Sequence, residues 1–310
     1  MCFLQAVGII FTIGLIDTNC LPILPNIPDL PVTRIIEQPL ELQYLTRSPE
    51  KIEQRAREIT VRVISEKNAA SGILIDKRGS TYFVITNKHV LQSDSNIKVG
   101  TFDSKLYAAT LVKSVDFQSA DLALLSFQST GLYAAARLGK SSDLAIGEWV
   151  FSTGFPMRSQ AWKFAEGQYT LSTPQPLQYG YAFGYSSAVE KGMSGGPVLD
   201  AYGRVIAVNG VHANPLWGKP SYRYANGEKP CDPINAEMTS LSWAIPMETV
   251  IQFMPDLRAT PLESVSKSES FPNPFTVNRP LPSLLQKRAK LLSKCVVPPL
   301  EVAVDETLHH

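Results

Sequence analysis

Apolar and polar residues begin to alternate with a period of two at residue 59, and the pattern continues through six short segments up to residue 127. The segments are rich in β-branched and aromatic residues, and each is bounded by Gly, Asn, Asp or Ser. In chain order they are ITVRVISE, SGILIDK, TYFVITN, NIKVGTF, KLYAATLVKSV and DLALLSF. Short strands at even spacing, separated by turn residues, are typical of all-β sandwiches and barrels.

A second set of strand-like segments lies between residues 147 and 246. It consists of GEWVFSTGFP, WKFAEGQYTLS, YGYAFGYSSA, GPVLDAYGRVIAVNGV and LSWAIP. Within it, Asp200–Gly203 predicts a hairpin turn, and Pro246 predicts the start of a helix over Met247–Met254. The region from 59 to 245 is long enough for two six-stranded antiparallel β-barrels, so we expect an all-β fold that a C-terminal helix closes.

The segments on either side of this region have a different character. Residues 21–50 are rich in Pro and predict an extended linker, because repeated Pro forbids regular helix or sheet. A short helix is expected over 49–58, and the folded domain is expected over 51–255. Residues 256–310 predict a Pro-rich tail that contains a short basic helix at 283–294.

An apolar run at residues 3–16 lies near the N-terminus. It is too short to span a bilayer, which takes about 20 residues, so no stable membrane span is predicted. It has the length of a signal-peptide core, although no Lys or Arg precedes it and no small-x-small cleavage site follows it. Two interpretations stay open for residues 1–20: an export signal, which predicts a periplasmic or secreted protein, or a hydrophobic segment that packs on the domain.

Composition narrows the function classes. The 310 residues are 44% hydrophobic and 18% charged, which supports a sizeable core, and the net charge of +1 provides no basic field for gripping nucleic acid. The four Cys and four His contain no CxxC spacing, so no metal site is predicted. Cys231 and Cys295 could form a disulfide outside the cytoplasm or stay unpaired. The sequence does not predict an oligomeric state.

The strongest chemical signal is the glycine-rich segment GMSGGPV at Gly192–Val198. Gly permits backbone angles that turn consecutive N–H groups toward one point, and such a nest can bind a developing oxyanion. Ser194 at its centre has little steric cover, but a serine needs an adjacent base to act as a nucleophile. His89, in TNKHVL after a predicted strand, is the candidate base, and Asp121, at the start of DLALL, is the candidate that orients it.

These candidates occur in the order His89, Asp121, Ser194, with separations of 32 and 73 residues. This is the chain order of one well-known serine, histidine and aspartate triad. With the motifs TNKHVL, SADLALL, GMSGGPVLD and GRVIAVNGV, the chain over about 59–254 resembles bacterial trypsin-like serine peptidases with the chymotrypsin fold. It is similar to the compact kind of cyanobacteria and to the catalytic part of high-temperature-requirement proteases.

The resemblance implies a serine endopeptidase that acts on peptides or proteins through an acyl-enzyme. Ser194 would be the nucleophile, His89 the general base and Asp121 the residue that orients it. The backbone N–H groups of Gly192 and Ser194 would bind the oxyanion. The chemistry requires no metal and no organic cofactor.

By position, the resemblance also implies the walls of the primary specificity pocket: Ala188 and Val189 on one side, with Asn209, Gly210 and Val211 opposite. Ala188 stands at the pocket base where an Asp would select Arg or Lys, so small or medium apolar residues are the expected preference. Related glutamyl peptidases carry a His at the position of Asn209, which argues against strict acidic preference, although the nearby His212 keeps that preference open.

Met193 departs from the animal digestive relatives, which carry at that position an Asp that pairs with a freshly cut N-terminus. Met cannot form this ion pair, so we expect no activation by N-terminal cleavage and a nest that is preformed or ordered by substrate. Residues 212–241 interrupt two strands with Pro, Gly and aromatic residues. They could form a lid over the cleft or a packed surface excursion.

Three alternatives stay beside this interpretation. Asp116 lies five residues before Asp121 but is expected in the preceding turn. Gly192-x-Ser194-x-Gly196 also matches the nucleophile elbow of α/β-hydrolases, but the βα alternation of that fold is missing from the pattern. The last alternative is a non-catalytic peptide-binding module on a peptidase fold.

Overall fold

The computed structural model describes residues 49–66, 68–91, 96–173, 175–211 and 222–256. Twelve β-strands, four α-helices and two three-residue 3₁₀-helices account for the regular structure of this part of the chain. Predictions for the N-terminal segment, most of the Pro-rich linker and nearly all of the tail, with its basic helix, lie outside the described residues. None of the described helices has the length and apolar character that crossing a membrane requires.

The first six strands close into an antiparallel barrel, the first barrel, in the order β1-β2-β3-β6-β5-β4. Their bounds are β1 Thr60–Ile64, β2 Ala69–Arg78, β3 Thr81–Thr86, β4 Ile97–Gly100, β5 Leu106–Leu111 and β6 Ala123–Gln128. Because β1 pairs with both β2 and β4, the sheet has no free edge. Side chains such as Val61, Val63 and Leu125 are fully buried in its interior.

The other six strands close into the second barrel, in the order β10-β11-β12-β9-β8-β7. Their bounds are β7 Trp149–Gly154, β8 Lys163–Ser172, β9 Phe183–Tyr185, β10 Pro197–Leu199, β11 Val205–Val211 and β12 Ser242–Pro246. All strand pairings in both barrels are antiparallel. The predicted pair of six-stranded antiparallel barrels, similar to chymotrypsin, is confirmed, and the described chain has no parallel βα units of the α/β-hydrolase kind.

Both barrels contribute to a third apolar cluster, the shared core, which packs between them. On β2, Ile73 and Ile75 face the shared core while Leu74 points into the first barrel, since successive side chains leave opposite faces of a strand. On β11, Val205 belongs to the shared core and the next residue, Ile206, to the interior of the second barrel. The barrels therefore meet along a buried apolar surface.

Four helices flank the barrels: α1 Pro49–Ile59, α2 Lys88–Leu91, α3 Asp232–Met238 and α4 Met247–Phe253. The helix expected over 49–58 corresponds to α1, whose Ile52, Ala56 and Ile59 lie on one face and join the shared core. The expected C-terminal helix is α4, with Pro246 at its N-cap rather than in its first turn. The short α2 and α3 were not predicted.

The described part of the 212–241 segment, residues 222–241, packs against the shared core. Tyr222, Tyr224 and Met238 are buried there, and the indole nitrogen of Trp243 donates to Met238 O at 3.1 Å. This part is a packed excursion, while residues 212–221 lie outside the described chain.

Candidate active site

The end of β3 places His89 at the surface on a rigid support. After Thr86 the chain turns into α2, and the fully buried Asn87 donates from Nδ2 to Asp121 O at 2.8 Å. The turn is therefore tied to the segment that enters β6. The His89 side chain keeps 51% of its surface exposed, so it is anchored by its backbone and open to solvent.

Asp121 holds His89 at two points. Its Oδ1 accepts the backbone N–H of His89 at 2.9 Å, and its Oδ2 lies 2.5 Å from His89 Nδ1. Because an ionised carboxylate can only accept, Nδ1 carries the proton and Nε2 is the free nitrogen of the neutral ring. The carboxylate thus fixes both the orientation of the ring and its tautomer.

Asp116, the alternative to Asp121, has a different role. Its Oδ1 accepts the backbone N–H of Gln118 at 2.9 Å, and it lies exposed in a turn where Gln118 has a positive φ of 55°. The structure therefore brings Asp121, and not Asp116, to His89.

Tyr181, which the sequence did not single out, is a third partner of this pair. Its hydroxyl donates to Asp121 Oδ2 at 2.5 Å. Burial, reinforced by the neighbouring Asp121, raises the pKa of Tyr181 far above its usual range, so the hydroxyl remains a neutral donor. In the segment YGYAFGYS no local pattern distinguishes Tyr181 from its neighbours, which is why only the tertiary contact identifies it.

Two glycines shape the loop around Ser194, residues 190–196, hereafter the Ser194 loop. Gly192 has φ of 101° and Gly195 has φ of 84°. A Cβ on Gly192 would lie 2.4 Å from Met157 N, and one on Gly195 would lie 2.2 Å from Ser71 O. Both backbone angles and close neighbours therefore require glycine at these positions.

Ser71 of β2 ties the Ser194 loop to the first barrel. Its hydroxyl donates to Gly192 O at 2.8 Å and accepts from Phe155 N at 2.8 Å, while its backbone N–H donates to Ser194 O at 3.0 Å. Ser71 is fully buried. No sequence pattern singled out Ser71, since these three partners lie 84 to 123 residues away along the chain.

The two N–H groups that the sequence predicted to bind an oxyanion have no acceptor within the described chain. The N–H groups of Met193, Gly195 and Gly196 donate to backbone carbonyls, whereas no hydrogen bond within the described chain uses the N–H of Gly192 or Ser194. Lys191 O accepts from Met157 N at 2.7 Å. Because C=O and N–H point opposite ways across a trans peptide, the Gly192 N–H is held facing away from Met157.

The Ser194 hydroxyl donates to Gly210 O at 2.9 Å, and no hydrogen bond within the described residues joins it to His89. Gly210 lies against Tyr181, since a Cβ on Gly210 would be 2.0 Å from the Tyr181 ring. Ser194 is therefore linked to the His89 and Asp121 pair through Gly210 and Tyr181. The serine hydroxyl itself is bonded to a backbone carbonyl and not to the imidazole.

A cleft of about 510 Å³ opens beside the imidazole. His89 and Asp121 line one part of it, and Gln118, Tyr179 and Ala225 line others. Ala225 belongs to the 212–241 segment, so this packed excursion also borders the cleft.

The predicted pocket residues occupy different environments. Ala188 is exposed, and its carbonyl accepts from Lys163 Nζ at 3.1 Å. Val189 is buried in the interior of the second barrel, Val211 is half-buried, and Gly210 carries the carbonyl that Ser194 contacts.

Asn209 is fully buried with its carboxamide turned toward the barrel. Its Oδ1 accepts the hydroxyl of Tyr185, and its Nδ2 donates to Thr153 O at 3.3 Å. Its polar groups are thus engaged in holding strands of the second barrel together.

Met193 is fully buried in the interior of the second barrel, and its apolar side chain suits these apolar surroundings.

Among the described residues, no group of three or more His, Cys, Asp or Glu side chains is placed to hold a metal ion.

Comparison with known proteins shows where a similar arrangement occurs. Residues 70–208 match the family model of the trypsin-like peptidase domain. Over this range the chain is therefore similar to trypsin-like peptidase domains.

Several curated proteins that are similar to the chain are named as serine proteases of the HtrA and DegP kind. The chain is 28% identical over 155 residues to "Serine protease Do-like HtrA" of Bacillus subtilis, covering 47% of this chain and 34% of that protein. It is 29% identical over 239 residues to "Probable periplasmic serine endoprotease DegP-like" of Ectopseudomonas mendocina, covering 77% of this chain and 43% of that protein. The chain thus spans less than half the length of these relatives.

Proposed function

We propose that the protein is a serine endopeptidase that hydrolyses peptide bonds in peptides or proteins through an acyl-enzyme. The observation that carries the proposal is that Asp121 accepts the backbone N–H of His89 and also contacts its ring nitrogen Nδ1. These two contacts leave Nε2 free to act as a base, and His89 lines a cleft. The N–H groups of Gly192 and Ser194, which donate to no acceptor within the described chain, support the same chemistry.

In the proposed mechanism, Ser194 Oγ leaves Gly210 O, gives its proton to His89 Nε2 and bonds to the carbonyl carbon of the substrate. The carbonyl oxygen becomes an oxyanion that accepts hydrogen bonds from the N–H groups of Gly192 and Ser194. The C–N bond then breaks, and the leaving amine takes the proton from His89. Water repeats these steps on the acyl-enzyme and releases the acid.

Electrostatics favour this sequence at two points. The Asp121 carboxylate stabilises the imidazolium that forms when His89 takes the proton. Each preorganised donor to the oxyanion contributes about 10²- to 10³-fold in kcat.

The decisive experiment compares the wild type with Ser194→Ala on a peptide library. We expect the variant to lose roughly 10³- to 10⁶-fold in turnover while its circular dichroism stays unchanged, and a fluorophosphonate probe to label only the wild type. The wild-type profile is expected to favour small or medium apolar residues before the cut. Wild-type turnover in the variant would refute the mechanism, and a profile led by Arg, Lys or Glu would refute the specificity.

A second candidate is a non-catalytic peptide-binding module. The observation that favours it is the hydrogen bond of the Ser194 hydroxyl to Gly210 O rather than to His89. Such a module would bind library peptides without cutting them and would resist the fluorophosphonate probe, so the same experiment separates the two candidates.

We also propose an extracytoplasmic location, with the peptidase domain over 51–255. Two relatives bear names that place them in the periplasm. Cys231 is disulfide-bonded, and its partner lies outside the described residues. Cys295, the partner that we predicted, also lies outside them. Disulfides persist in oxidising compartments. A Cys231 thiol that alkylates without prior reduction in protein isolated from its native host would contradict this proposal.

A further inference from the structure

Tyr181 connects the second barrel to the catalytic pair of the first. Its hydroxyl donates to Asp121 Oδ2, the same oxygen that His89 Nδ1 contacts. Tyr181 precedes β9, whereas Asp121 precedes β6, so this contact crosses from one barrel to the other. The carboxylate is therefore fixed by groups from both barrels.

The Tyr181 ring also fills the space beside Gly210. A Cβ on Gly210 would lie 2.0 Å from a ring carbon and 2.5 Å from the hydroxyl oxygen. Gly210 O accepts the hydrogen bond from Ser194. One buried side chain thus abuts both the group that orients His89 and the backbone that holds Ser194.

The backbone of the turn before Tyr181 has an unusual conformation that places Tyr181 next to Asp121. Tyr179 and Gly180 have positive φ angles of 67° and 85°, and strain of this kind at a non-glycine residue persists only where its surroundings enforce it. Tyr179 O accepts from Asp121 N at 3.0 Å, and Tyr181 O accepts from Leu177 N at 2.7 Å. Both bonds fix the backbone on either side of the strained residue.

We propose that Tyr181 is a positioning residue that holds the Asp121 carboxylate in the orientation His89 requires. This proposal rests on the proposed peptidase function. Without the hydroxyl, Asp121 Oδ2 loses one of its two partners, and the carboxylate is held less firmly against the imidazole. Because the hydroxyl touches Asp121 rather than substrate, its loss changes turnover more than substrate binding.

Tyr181→Phe tests this directly, because it keeps the ring and removes the hydroxyl. We expect kcat to fall about 10- to 100-fold, the effect of losing one hydrogen bond to a charged group, with KM changed less than about twofold. Gly210→Ala displaces the same ring from the other side and is expected to lower kcat by at least as much.

The matched control is Tyr185→Phe. Tyr185 is also fully buried in the second barrel, and its hydroxyl donates to Asn209 instead of Asp121. We expect this variant to lose stability in thermal unfolding but to keep kcat within about twofold of the wild type. Equal losses of kcat in Tyr181→Phe and Tyr185→Phe would overturn the assigned role.

A readout that needs no activity separates this proposal from the proposed function. In proton NMR, we expect the wild type and Ser194→Ala to show the same far-downfield signal from the proton between His89 Nδ1 and Asp121. This signal should shift or broaden in Tyr181→Phe but stay in place in Tyr185→Phe. An unchanged signal with unchanged kcat in Tyr181→Phe refutes the positioning role. If the wild type neither cuts peptides nor reacts with the probe, but the signal still changes in Tyr181→Phe and not in Tyr185→Phe, only the peptidase function is refuted.

Discussion

At the scale of single residues, the site depends on backbone geometry that only glycine supplies. Gly192 combines a left-handed φ with neighbouring backbone atoms that leave no room for a Cβ. The peptide before it is held by Met157 N, which sets the direction of the Gly192 N–H. The orientation of one proposed oxyanion donor is therefore determined by a residue with no side chain.

Gly192→Ala is expected to lower kcat at least about 10²-fold, since the loop must shift and one donor leaves its position. The measurement is steady-state kinetics on the best library peptide, with thermal unfolding in parallel. The control is Gly79→Ala, where φ is 62° but open space surrounds the new Cβ. It should cost about 1 kcal/mol of stability and leave kcat unchanged, so a similar loss of kcat in both variants would contradict the argument.

At the scale of elements, the hairpin between β4 and β5 is held by one carboxylate. Asp103 accepts from Thr101 Oγ1 at 2.5 Å and from the Tyr133 hydroxyl at 3.1 Å, and it pairs with Lys105 Nζ at 2.9 Å. Partial burial acts to raise the pKa of Asp103, but these hydrogen bonds outweigh it and lower the pKa from 3.8 to about 2. The charged form is thus the one that the folded hairpin favours.

The depressed pKa predicts a stability loss in acid. A carboxyl group with a lower pKa in the folded state stabilises the fold above its unfolded pKa, and this contribution disappears as the pH falls from about 4 through about 2. Thermal unfolding across this range should show the wild type losing more stability than Asp103→Asn. Asp116→Asn, which alters an exposed turn carboxylate, should behave like the wild type, and parallel curves for wild type and Asp103→Asn would exclude the effect.

At the scale of the whole molecule, the cleft exists because two closed barrels are fixed against each other. The shared core packs between them, and the hydroxyls of Thr60 on β1 and Thr153 on β7 lie 2.6 Å apart. Ser71 adds the bonds that tie the Ser194 loop to the first barrel. Since His89 and Ser194 come from different barrels, their relative position is a property of this packing.

Ile52→Ala is expected to destabilise the whole protein by about 2–5 kcal/mol, because Ile52 is fully buried where α1 meets the shared core. Urea unfolding followed by tryptophan fluorescence measures the loss. Glu53→Ala, an exposed change on the same helix, should stay within about 0.5 kcal/mol of the wild type. Activity per folded molecule should persist in both, and a small effect of Ile52→Ala would show that α1 is dispensable.

Local sequence patterns were enough to predict the two barrels and to single out three candidate side chains for the proposed chemistry. Strand alternation and turn residues are local properties, so the period-two segments predicted all twelve strands near their observed positions. His89, Asp121 and Ser194 could be named because each sits in a short motif at a strand end or in a glycine-rich turn. The short helices α2 and α3 were not predicted, since packing rather than local periodicity forms them.

The contacts that hold those side chains in place could be identified only from the folded structure. Tyr181 reaches Asp121 across 60 residues of chain, and Ser71 reaches Gly192 across 121. Contacts at such separations arise from the packing of one barrel on the other, and no local pattern encodes them. The hydrogen bond from the Ser194 hydroxyl to Gly210 O could not be predicted for the same reason. The acceptor of this hydroxyl depends on how distant segments pack in the folded chain.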